Sequence, residues 1–430
     1  MSKQINVLFE ASVLTNGLLM APARSGIYFV AYNVLIEMLK RDNLKLKFFC
    51  SPDKKHLVKK LINSDENLKN ISFIEYSNSD KLIEYFEILK YNNKVNKSNK
   101  ILRVLIKAAL NMFKTLSRLL CKLNFQEYKK KLKEFDIFFS PFDLVPYQLK
   151  GLKIRKYMIL YDIIPMVFPE NYPDLKDKKS WFYKLVHSIN KDDFYFAISE
   201  HTRGDFIKNV KNITPEHVFT IPLSTGLEYE RVQEKTKINK VKEKYNILPD
   251  KKYLFSLCTL EPRKNLIFAV KNFIEFIKRN NIDDFVFVLG GGYWDVFIQK
   301  INEAIRDLEK YKDKIIKIGY VDDEDLPALY SGAEMFVFPS VYEGFGMPVL
   351  EAMKCGCPVI CSNVTSVPEV IGDCGIQINP ENDEELIKAY EKMYYDEEFR
   401  QSCIKRGLER AEQFSWEKCV DVIVAIIQAT

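Results

Sequence analysis

The chain has 430 residues, of which 47% are hydrophobic and 28% charged, and its formal net charge is +6. That length exceeds one ordinary hydrophobic core, so two domains are expected, and the composition excludes a globally disordered chain. The positive charge is uneven: residues 1–230 hold 37 Lys and Arg against 25 Asp and Glu, whereas the rest hold 27 against 33. A basic surface for an anionic partner is therefore expected in the N-terminal half.

The cysteines and the first residues bear on the compartment. Nine cysteines are scattered along the chain, and MSKQINVLFEAS lacks the pattern of a signal peptide. A reduced, cytoplasmic protein is therefore expected rather than a disulfide scaffold. Cys355, Cys357 and Cys361 cluster without a nearby histidine, so a metal site there is the less favoured alternative. No apolar run approaches the ~20 residues that span a bilayer.

The N-terminal half, residues 1–223, alternates strands and helices, which predicts a parallel α/β domain. After a first strand in INVLFEASVL comes a loop containing Arg24, Ser25 and Gly26. Helices are predicted at 27–39, 54–68 and 81–90, and further strands at 45–50, 72–76, 135–139, 157–160, 194–198 and 218–222.

Two positions in this half follow strands. Tyr161 and Asp162 come directly after the predicted strand 157–160, where side chains of an open α/β sheet face the ligand crevice. Ser199 follows the strand 194–198 and is suited to cap the next helix. Asp162 is therefore a candidate site residue, whereas a capping serine alone indicates only a helix start.

A basic amphipathic segment occupies residues 94–133. Its cations recur at helical spacing opposite a broad apolar face, and no acidic residue occurs between Lys94 and Gln126. The cations are Lys100, Arg103, Lys107, Lys114, Arg118 and Lys122. This pattern is typical of a helix lying on an anionic membrane surface. The alternative is a helix packed on the core with a solvated charged face.

The C-terminal half predicts a second α/β domain at 251–412, after a polar linker at 224–250 and before a final amphipathic helix at 413–430. Strands are predicted at 253–258, 285–289, 315–319, 335–339, 358–361 and 375–378, and helices at 266–278 and 325–331.

Arg263 and Lys264 come between a strand end and a helix start, a position that suits a diphosphate. The alternative is a pair of solvated loop charges. Gly290 and Gly291 begin a glycine triplet after the next strand, which by itself is a weak signal.

The stretch 336–380 carries the most informative pattern. Gly344 and Gly346 allow a tight turn, and Pro348 favours a helix start near Met347 because proline disrupts a helix interior. Glu343 then lies beside the helix N-terminus, and Glu351 projects from its first or second turn. Unpaired helix N–H groups suit an anion, and two carboxylates suit hydroxyls, as in a sugar nucleotide. The alternative is an ordinary strand, turn and surface helix.

The residues around this spacing identify a family. PSVYEGFGMPVLEAMKCGCPVI, continued by SVPEV and GDCG, resembles the donor-site signature of the retaining glycosyltransferases of GT-B fold, in the large family four that builds bacterial polysaccharides and glycolipids. The similarity extends from about Tyr253 to Trp416 and is weaker in the N-terminal half. It implies an α/β GT-B fold, with two Rossmann-like domains facing each other across a cleft and a C-terminal helix that crosses back to the N-terminal domain.

The resemblance also implies residue roles. Arg263 and Lys264 would bind the donor diphosphate, Glu351 the ribose, and Glu343 the sugar, with Asp162 as a sugar or acceptor contact. Further implied donor-site residues are Gly26, Ser199, Gly290, Gly291, Tyr320, Gly344, Phe345, Gly346, Met347, Pro348 and Val349. The implied acceptor side comprises Arg24, Ser25, Tyr161 and Arg203. Tyr161 departs from the family, which commonly has histidine there, so an imidazole role at this position is in doubt.

The expected function is transfer of a hexose from a nucleoside-diphosphate sugar to a hydroxyl of a glycan or lipid-linked glycan, with retention. YDIIPMVFPE looks most like enzymes that use GDP-mannose or related deoxyhexose donors, and UDP-sugars stay open. Retention implies same-face attack, with a covalent intermediate on Glu343 as the alternative. Because no Asp-x-Asp follows a strand, neither a divalent metal nor another cofactor is expected, and no nucleic-acid partner is expected.

Two other functions stay open. A protein of this fold can be an inactive partner or chaperone subunit of another glycosyltransferase, and Tyr161 slightly favours that. It can also be a sugar-nucleotide epimerase. The expected location is the cytoplasm, with peripheral membrane binding through residues 100–123.

Overall fold

The computed structural model describes residues 4–15, 26–51, 54–74, 84–85, 87–89, 104–105, 107–109, 111–112, 130–146, 149, 151–172, 177–292, 295–306 and 308–430. Arg24, Ser25 and most of the basic amphipathic segment 94–133 lie outside these residues. The predictions made for them therefore stay predictions. Among the described residues, no helix has both the length and the apolar character that crossing a membrane requires.

The first compact unit comprises Met1–Leu160, Asp174–Phe196 and Val210–Phe219. Its six-stranded sheet has the order β2-β1-β3-β4-β5-β6, and β1 runs parallel to both β2 and β3. The strands are β1 Ile5–Glu10, β2 Leu44–Phe49, β3 Ile137–Ser140, β4 Arg155–Leu160, β5 Phe194–Ala197 and β6 Val218–Thr220. The last residues of β5 and β6 fall in the second unit.

Helices and aromatic rings cover this sheet. Among the helices whose bounds the structure describes, this unit contains α1 Gly26–Leu39, α2 Lys55–Ser64 and, after the short α3 Ile164–Val167 of the second unit, α4 Trp181–Ser188. Phe9 and Phe139 stack with ring centroids 5.6 Å apart, and Tyr157 stacks on Phe196 at 5.8 Å. These rings are almost fully buried, so apolar contacts join neighbouring strands of the sheet.

The second compact unit comprises Tyr161–Pro173, Ala197–Asn209 and Thr220–Thr430. Its six-stranded sheet has the order β12-β11-β10-β7-β8-β9. The strands are β7 Lys252–Leu257, β8 Phe285–Gly290, β9 Ile315–Gly319, β10 Met335–Phe338, β11 Val359–Ser362 and β12 Ile376–Ile378. Besides α3, the helices are α5 Glu200–Asn209, α6 Lys235–Lys244, α7 Leu266–Arg279, α8 Asp295–Arg306, α9 Leu326–Ser331, α10 Met347–Lys354, α11 Val367–Ile371, α12 Asp383–Tyr395, α13 Glu397–Ala411 and α14 Trp416–Ala429.

The order of the second sheet fixes where a ligand can bind. Strand β7 pairs in parallel with β8 on one side and with β10 on the other, so the direction of the strand order reverses between β7 and β10. In open parallel sheets such a switch point opens a crevice at the carboxyl ends of the strands. The segments that leave β7 and β10 there carry Arg263, Lys264 and Glu343.

Most predicted elements are confirmed to within a few residues, and β9 coincides with the predicted strand 315–319. Two differ. The predicted helix 54–68 ends at Ser64, because the Asp65 side chain accepts the Asn67 N–H and starts a separate 3₁₀ turn. Within the described part of the predicted strand 72–76, only a single bridge between Phe48 and Phe73 forms.

The polar segment 224–250 is more than the predicted linker. It contains α6, whose buried Val241 and Lys242 help it pack against α9. The Lys242 ammonium is accommodated because it donates to the carbonyls of Pro249 and Lys251, at 2.6 and 2.9 Å. The predicted domain boundaries and the crossing of 413–430 to the N-terminal domain stay predictions.

Candidate active site

The turn between β10 and α10 forms the centre of the site. Ser340 Oγ donates to the Arg263 carbonyl at 3.0 Å, which ties this turn to the one that follows β7. Gly346 has φ +103°, a conformation that favours glycine, and α10 then begins at Met347 with Pro348 in its first turn. The predicted helix start is thus confirmed. Among the described residues no side chain caps α10. Pro348 has no N–H and the Val349 N–H already bonds the Gly346 carbonyl, so this helix start offers an anion the Met347 N–H and its positive dipole end.

Two cations meet the first glutamate of the motif. Lys264 Nζ lies 2.6 Å from Glu343 Oε1, and Arg263 Nη1 lies 2.8 Å from Glu343 Oε2. All three side chains are largely buried. Burial by itself would raise the pKa of Glu343, but the Lys264 and Arg263 charges hold that pKa below its ordinary value. Glu343 is therefore an ionised carboxylate that both cations share.

Two further carboxyl groups, those of Glu261 and Asp162, interact with Arg263. Arg263 Nη2 donates to Glu261 Oε1 at 2.7 Å, and the Tyr172 hydroxyl lies 3.4 Å from the other oxygen of Glu261. Asp162 accepts the Ile164 N–H at 3.0 Å. Burial raises the pKa of Asp162, although this N–H and the Arg263 charge oppose the shift. Arg263 and Lys264 thus share a site with Glu343, Glu261 and Asp162, all three of which interact electrostatically with Arg263.

The residues around Gly344 hold the turn from the other side. A Cβ at Gly344 would lie 2.5 Å from the Tyr161 carbonyl oxygen and 3.2 Å from Asp162 Cβ, so only glycine fits. Ser199 Oγ and Thr202 Oγ1 donate to the Gly344 carbonyl at 2.7 and 3.0 Å. Ser199 Oγ also accepts the Thr202 N–H at 3.0 Å, which confirms the predicted cap of α5. In this structure the Ser199 hydroxyl binds the backbone of the turn.

Two residues after β11 complete the support of Glu343. Thr365 Oγ1 accepts the Glu343 N–H at 3.1 Å, and Ser366 Oγ donates to the Glu343 carbonyl at 2.9 Å. Thr365 has φ +58°, a strained conformation for a β-branched residue and one that accumulates at functional sites. Sequence reasoning missed both residues, because no local pattern signals a positive φ at threonine or the pairing of β10 with β11.

Glu351 lies on the second turn of α10, as predicted, and is 8% exposed. The Tyr330 hydroxyl donates to Glu351 Oε2 at 2.9 Å. Burial raises the pKa of Glu351 to about 7, while the Tyr330 hydroxyl acts to lower it. Tyr330 was not predicted as a site residue, although the sequence places it in the helix before β10.

The predicted glycines after β8 have a packing role. A Cβ at Gly291, which has φ +128°, would lie 1.9 Å from the Cys258 carbonyl oxygen. The Gly291 N–H donates to the Gly319 carbonyl at 2.8 Å. A Cβ at Gly290 would meet Leu257 and Val321 at 3.1 and 3.2 Å. These glycines therefore let the ends of β7, β8 and β9 approach closely; their predicted donor contacts stay predictions.

The other predicted residues occupy varied positions. Phe345 is buried against Phe414, with ring centroids 6.1 Å apart. Tyr320 follows β9 and is 38% exposed. Arg203 lies on α5 with Nη1 3.9 Å from Glu200 Oε2. Burial raises the pKa of Tyr161 well above its ordinary value.

Four predicted residues lie at helix starts. Gly26 opens α1 in the first unit and is exposed. Val349, with Met347 and Pro348 before it, forms the first turn of α10 and donates its N–H to the Gly346 carbonyl at 3.0 Å.

The described cysteines and carboxylates bear on metal binding. The eight described cysteines are buried and unbridged. Within the described residues, His, Cys, Asp and Glu side chains form no group of three that could hold a metal ion.

Known sequences identify the family. The model of the "Glycosyl transferases group 1" family matches residues 237–410. Over 287 residues the chain is 34% identical to the O-antigen chain mannosyltransferase B of Escherichia coli, covering 66% of this chain and 71% of that protein. This chain is a group 1 glycosyltransferase. It is also 31% identical over 280 residues to the Escherichia coli serotype-specific mannosyltransferase WbdA, and the match spans 64% of this glycosyltransferase but only 33% of WbdA.

Solved structures show the fold. The glycosyltransferase aligns with HepE of Anabaena, solved in complex with UDP and glucose, over 99% of this chain and 100% of that chain, with a TM-score of 0.65 and 14% identity. It aligns with WaaG, a glycosyltransferase involved in lipopolysaccharide biosynthesis, over 98% and 99% of the two chains, with a TM-score of 0.59 and 13% identity. The expected α/β two-domain GT-B fold is therefore confirmed.

Proposed function

We propose that this glycosyltransferase is a retaining mannosyltransferase, which moves mannose from a nucleoside-diphosphate mannose to a hydroxyl of a glycan or lipid-linked glycan during bacterial surface-polysaccharide synthesis. The O-antigen relatives support mannose as the sugar and a polysaccharide as the acceptor. The match to the O-antigen chain mannosyltransferase B of Escherichia coli covers 71% of that protein's length. GDP is the favoured base because of the YDIIPMVFPE segment, and UDP stays open.

The observation that carries the proposal is the convergence of Arg263 and Lys264 on Glu343 at the switch point of the second sheet. Lys264 lies 2.6 Å and Arg263 2.8 Å from the carboxylate, so two cations already accommodate two anionic oxygens here. A diphosphate offers the same kind of oxygens. The start of α10 adds the Met347 N–H and a positive dipole end.

These groups suit departure of the nucleotide. When the bond between the anomeric carbon and the leaving oxygen breaks, the electron pair goes to the β-phosphate, which gains negative charge. Arg263, Lys264 and the Met347 N–H at the start of α10 would stabilise that charge. Because the protein already holds them in place by hydrogen bonds, they need little reorganisation during the reaction.

The environment of Glu343 favours a binding role over a covalent one. Both of its oxygens contact cations, and the cations lower the pKa of its carboxyl, so it is a weakly basic carboxylate and a poor nucleophile. It would accept hydrogen bonds from sugar hydroxyls. Retention would then come from attack on the face that the phosphate leaves, with a phosphate oxygen taking the acceptor proton.

The two alternatives predict different products. An inactive partner subunit would neither hydrolyse nor transfer sugar from any donor, and an epimerase would interconvert nucleotide sugars without an acceptor. The joint presence of Glu343, Glu351, Arg263 and Lys264 in the sequence argues against the inactive subunit. Metal independence is part of the proposal, and undiminished turnover in excess EDTA tests it.

The first experiment is a thermal-shift screen of GDP- and UDP-sugars, because a ligand that binds only the native state raises its melting temperature. We expect GDP-mannose to give the largest shift and to be hydrolysed slowly without acceptor. A panel in which no nucleotide sugar shifts the melting temperature would contradict the proposal.

A further inference from the structure

The surroundings of Glu351 differ from those of Glu343. Glu343 is paired with two cations, whereas Glu351 is bonded by phenol hydroxyls, one of which lies 2.9 Å from Oε2. That phenol belongs to Tyr330, whose side chain is fully buried in α9. Its ring packs edge-on against Phe255 and Phe336, with both pairs of centroids 5.2 Å apart. The hydroxyl is therefore held at one place by rigid neighbours.

We propose that Tyr330 is a positioning residue for nucleotide binding: its hydroxyl orients the Glu351 carboxylate so that the carboxylate accepts the two hydroxyl hydrogen bonds of the donor ribose. This inference rests on the proposed function and on the ribose-binding role of Glu351 that the family resemblance implies. A hydroxyl bonds one lone pair of Oε2 and adds no net charge. The Tyr229 hydroxyl also hydrogen-bonds this carboxyl. An ionised carboxylate has about four lone-pair sites, so two phenol hydroxyls leave about two of them for a diol.

The groups around Glu351 determine how strongly the Tyr330 hydroxyl affects its ionisation. Groups facing Glu351 come from several elements: Glu228 and Tyr229 before α6, Asp323 before α9, Tyr330 in α9, and Lys354 and Cys355 at the end of α10. Burial is the main influence that raises the pKa of Glu351 to about 7, and Asp323 and Glu228 add to it. The hydroxyls of Tyr330 and Tyr229 oppose the rise.

A pH dependence follows from this balance. Only the ionised carboxylate can accept hydrogen bonds on both oxygens, so binding of a ribonucleotide weakens as the pH falls below about 7. Removing the Tyr330 hydroxyl removes a bond that favours the ionised form. The pH at which binding weakens should then move upward by about one unit, since a hydrogen bond to a charged group contributes roughly that much.

The test compares a ribonucleotide with its 2′-deoxy form. Dissociation constants of GDP and 2′-deoxy-GDP, and of UDP and 2′-deoxy-UDP, are measured by calorimetry between about pH 6 and 9, around the expected transition. Wild type should prefer the ribonucleotide by about tenfold or more, the effect of one charged hydrogen bond. Tyr330→Phe should lose most of that preference and shift the pH profile upward.

Tyr253→Phe is the matched control. Tyr253 is a fully buried tyrosine of β7, and its hydroxyl donates to the Leu329 carbonyl of α9 at 2.6 Å. Loss of that hydroxyl should lower the melting temperature as Tyr330→Phe does, yet leave the ribose preference and its pH profile unchanged. A profile shift of equal size in Tyr253→Phe would overturn the inference.

A double-mutant cycle separates positioning from general damage. In a Glu351→Gln background, Tyr330→Phe should cause little further loss of ribose preference, because the group it positions is already altered. An equal further loss there, or an unchanged preference in the single Tyr330→Phe variant, would overturn the inference. Absence of any ribose preference in wild type would instead remove the assignment of Glu351 on which it rests. Absence of nucleotide binding altogether would contradict the proposed function itself.

Discussion

Glu343 occupies both cations of the site, so a diphosphate bound to Arg263 and Lys264 would compete with a carboxylate for the same charges. Glu343→Gln keeps the side-chain shape and removes that competition. We expect the variant to bind GDP or UDP more tightly than wild type, by about tenfold, while sugar transfer falls by about a hundredfold or more because a grip on the sugar is lost.

Calorimetry and initial rates measure the two effects. The comparison variant is Glu261→Gln. In the described ion pairs, the Glu261 carboxylate contacts Arg263 and not Lys264. Weaker nucleotide binding by Glu343→Gln would show that the carboxylate assists the diphosphate rather than competing with it.

Glu10 gives a prediction about stability. It ends β1, is 2% exposed, and accepts the Ser12 N–H at 3.0 Å, whereas its Oε2 has no hydrogen-bond partner among the described residues. Burial raises its pKa to about 8, and the charge of Asp143 adds to this. Because the folded pKa lies above the unfolded one, the folded state loses stability as the pH rises from about 4.5 to about 8.

Glu10→Gln removes this titration. Relative to wild type it should gain about 2 kcal/mol of unfolding free energy between pH 5 and pH 8, a fraction of the full linkage. Urea unfolding at the two pH values measures the gain. Parallel stability curves for the two proteins would mean that Glu10 titrates normally.

At the scale of elements, the turn from β10 to α10 is fixed by its neighbours more than by its own sequence. Gly344→Ala places a methyl group 2.5 Å from the Tyr161 carbonyl oxygen and should displace the turn that carries Glu343. We expect a loss of about 2 kcal/mol of stability and at least about a tenfold loss of kcat/KM, since small misplacements are costly.

Gly204→Ala is the control for this substitution. A Cβ at Gly204, on α5, would have nothing within 4 Å, so the change should be neutral or slightly stabilising. Thermal melts and initial rates compare the two variants. Equal behaviour of Gly344→Ala and Gly204→Ala would show that the turn tolerates a side chain.

The sequence predicted the course of this turn better than it predicted the residues that contact the turn. Pro348 and the glycines determine where α10 can begin, and the spacing of the two glutamates then follows from helix geometry, so Glu343 and Glu351 could be placed without a structure. The partners of these glutamates come from distant segments. Lys264, Thr365 and Tyr330 reach the two glutamates only because β7, β10 and β11 are adjacent in the sheet. Local sequence periodicity does not reveal that strand order.

At the scale of the molecule, the alternation of strands and helices predicted two parallel sheets, and both formed. The crevice of the second sheet lies where its strand order reverses, which explains why the residues of one site come from 261–264, 340–351 and 365–366. The contribution of the basic segment 94–133 stays a prediction, and its most direct test is liposome binding after its cations are replaced.

The measurement that tests the central claim most directly is transfer of mannose from GDP-mannose to a glycan acceptor, followed by NMR of the anomeric proton of the product. Wild type should give the α-linked product from the α-linked donor. Arg263→Ala combined with Lys264→Ala should lower turnover by at least about a thousandfold, because both charges that stabilise the leaving diphosphate are gone. A β-linked product, or near-normal turnover in the folded double variant, would contradict this account.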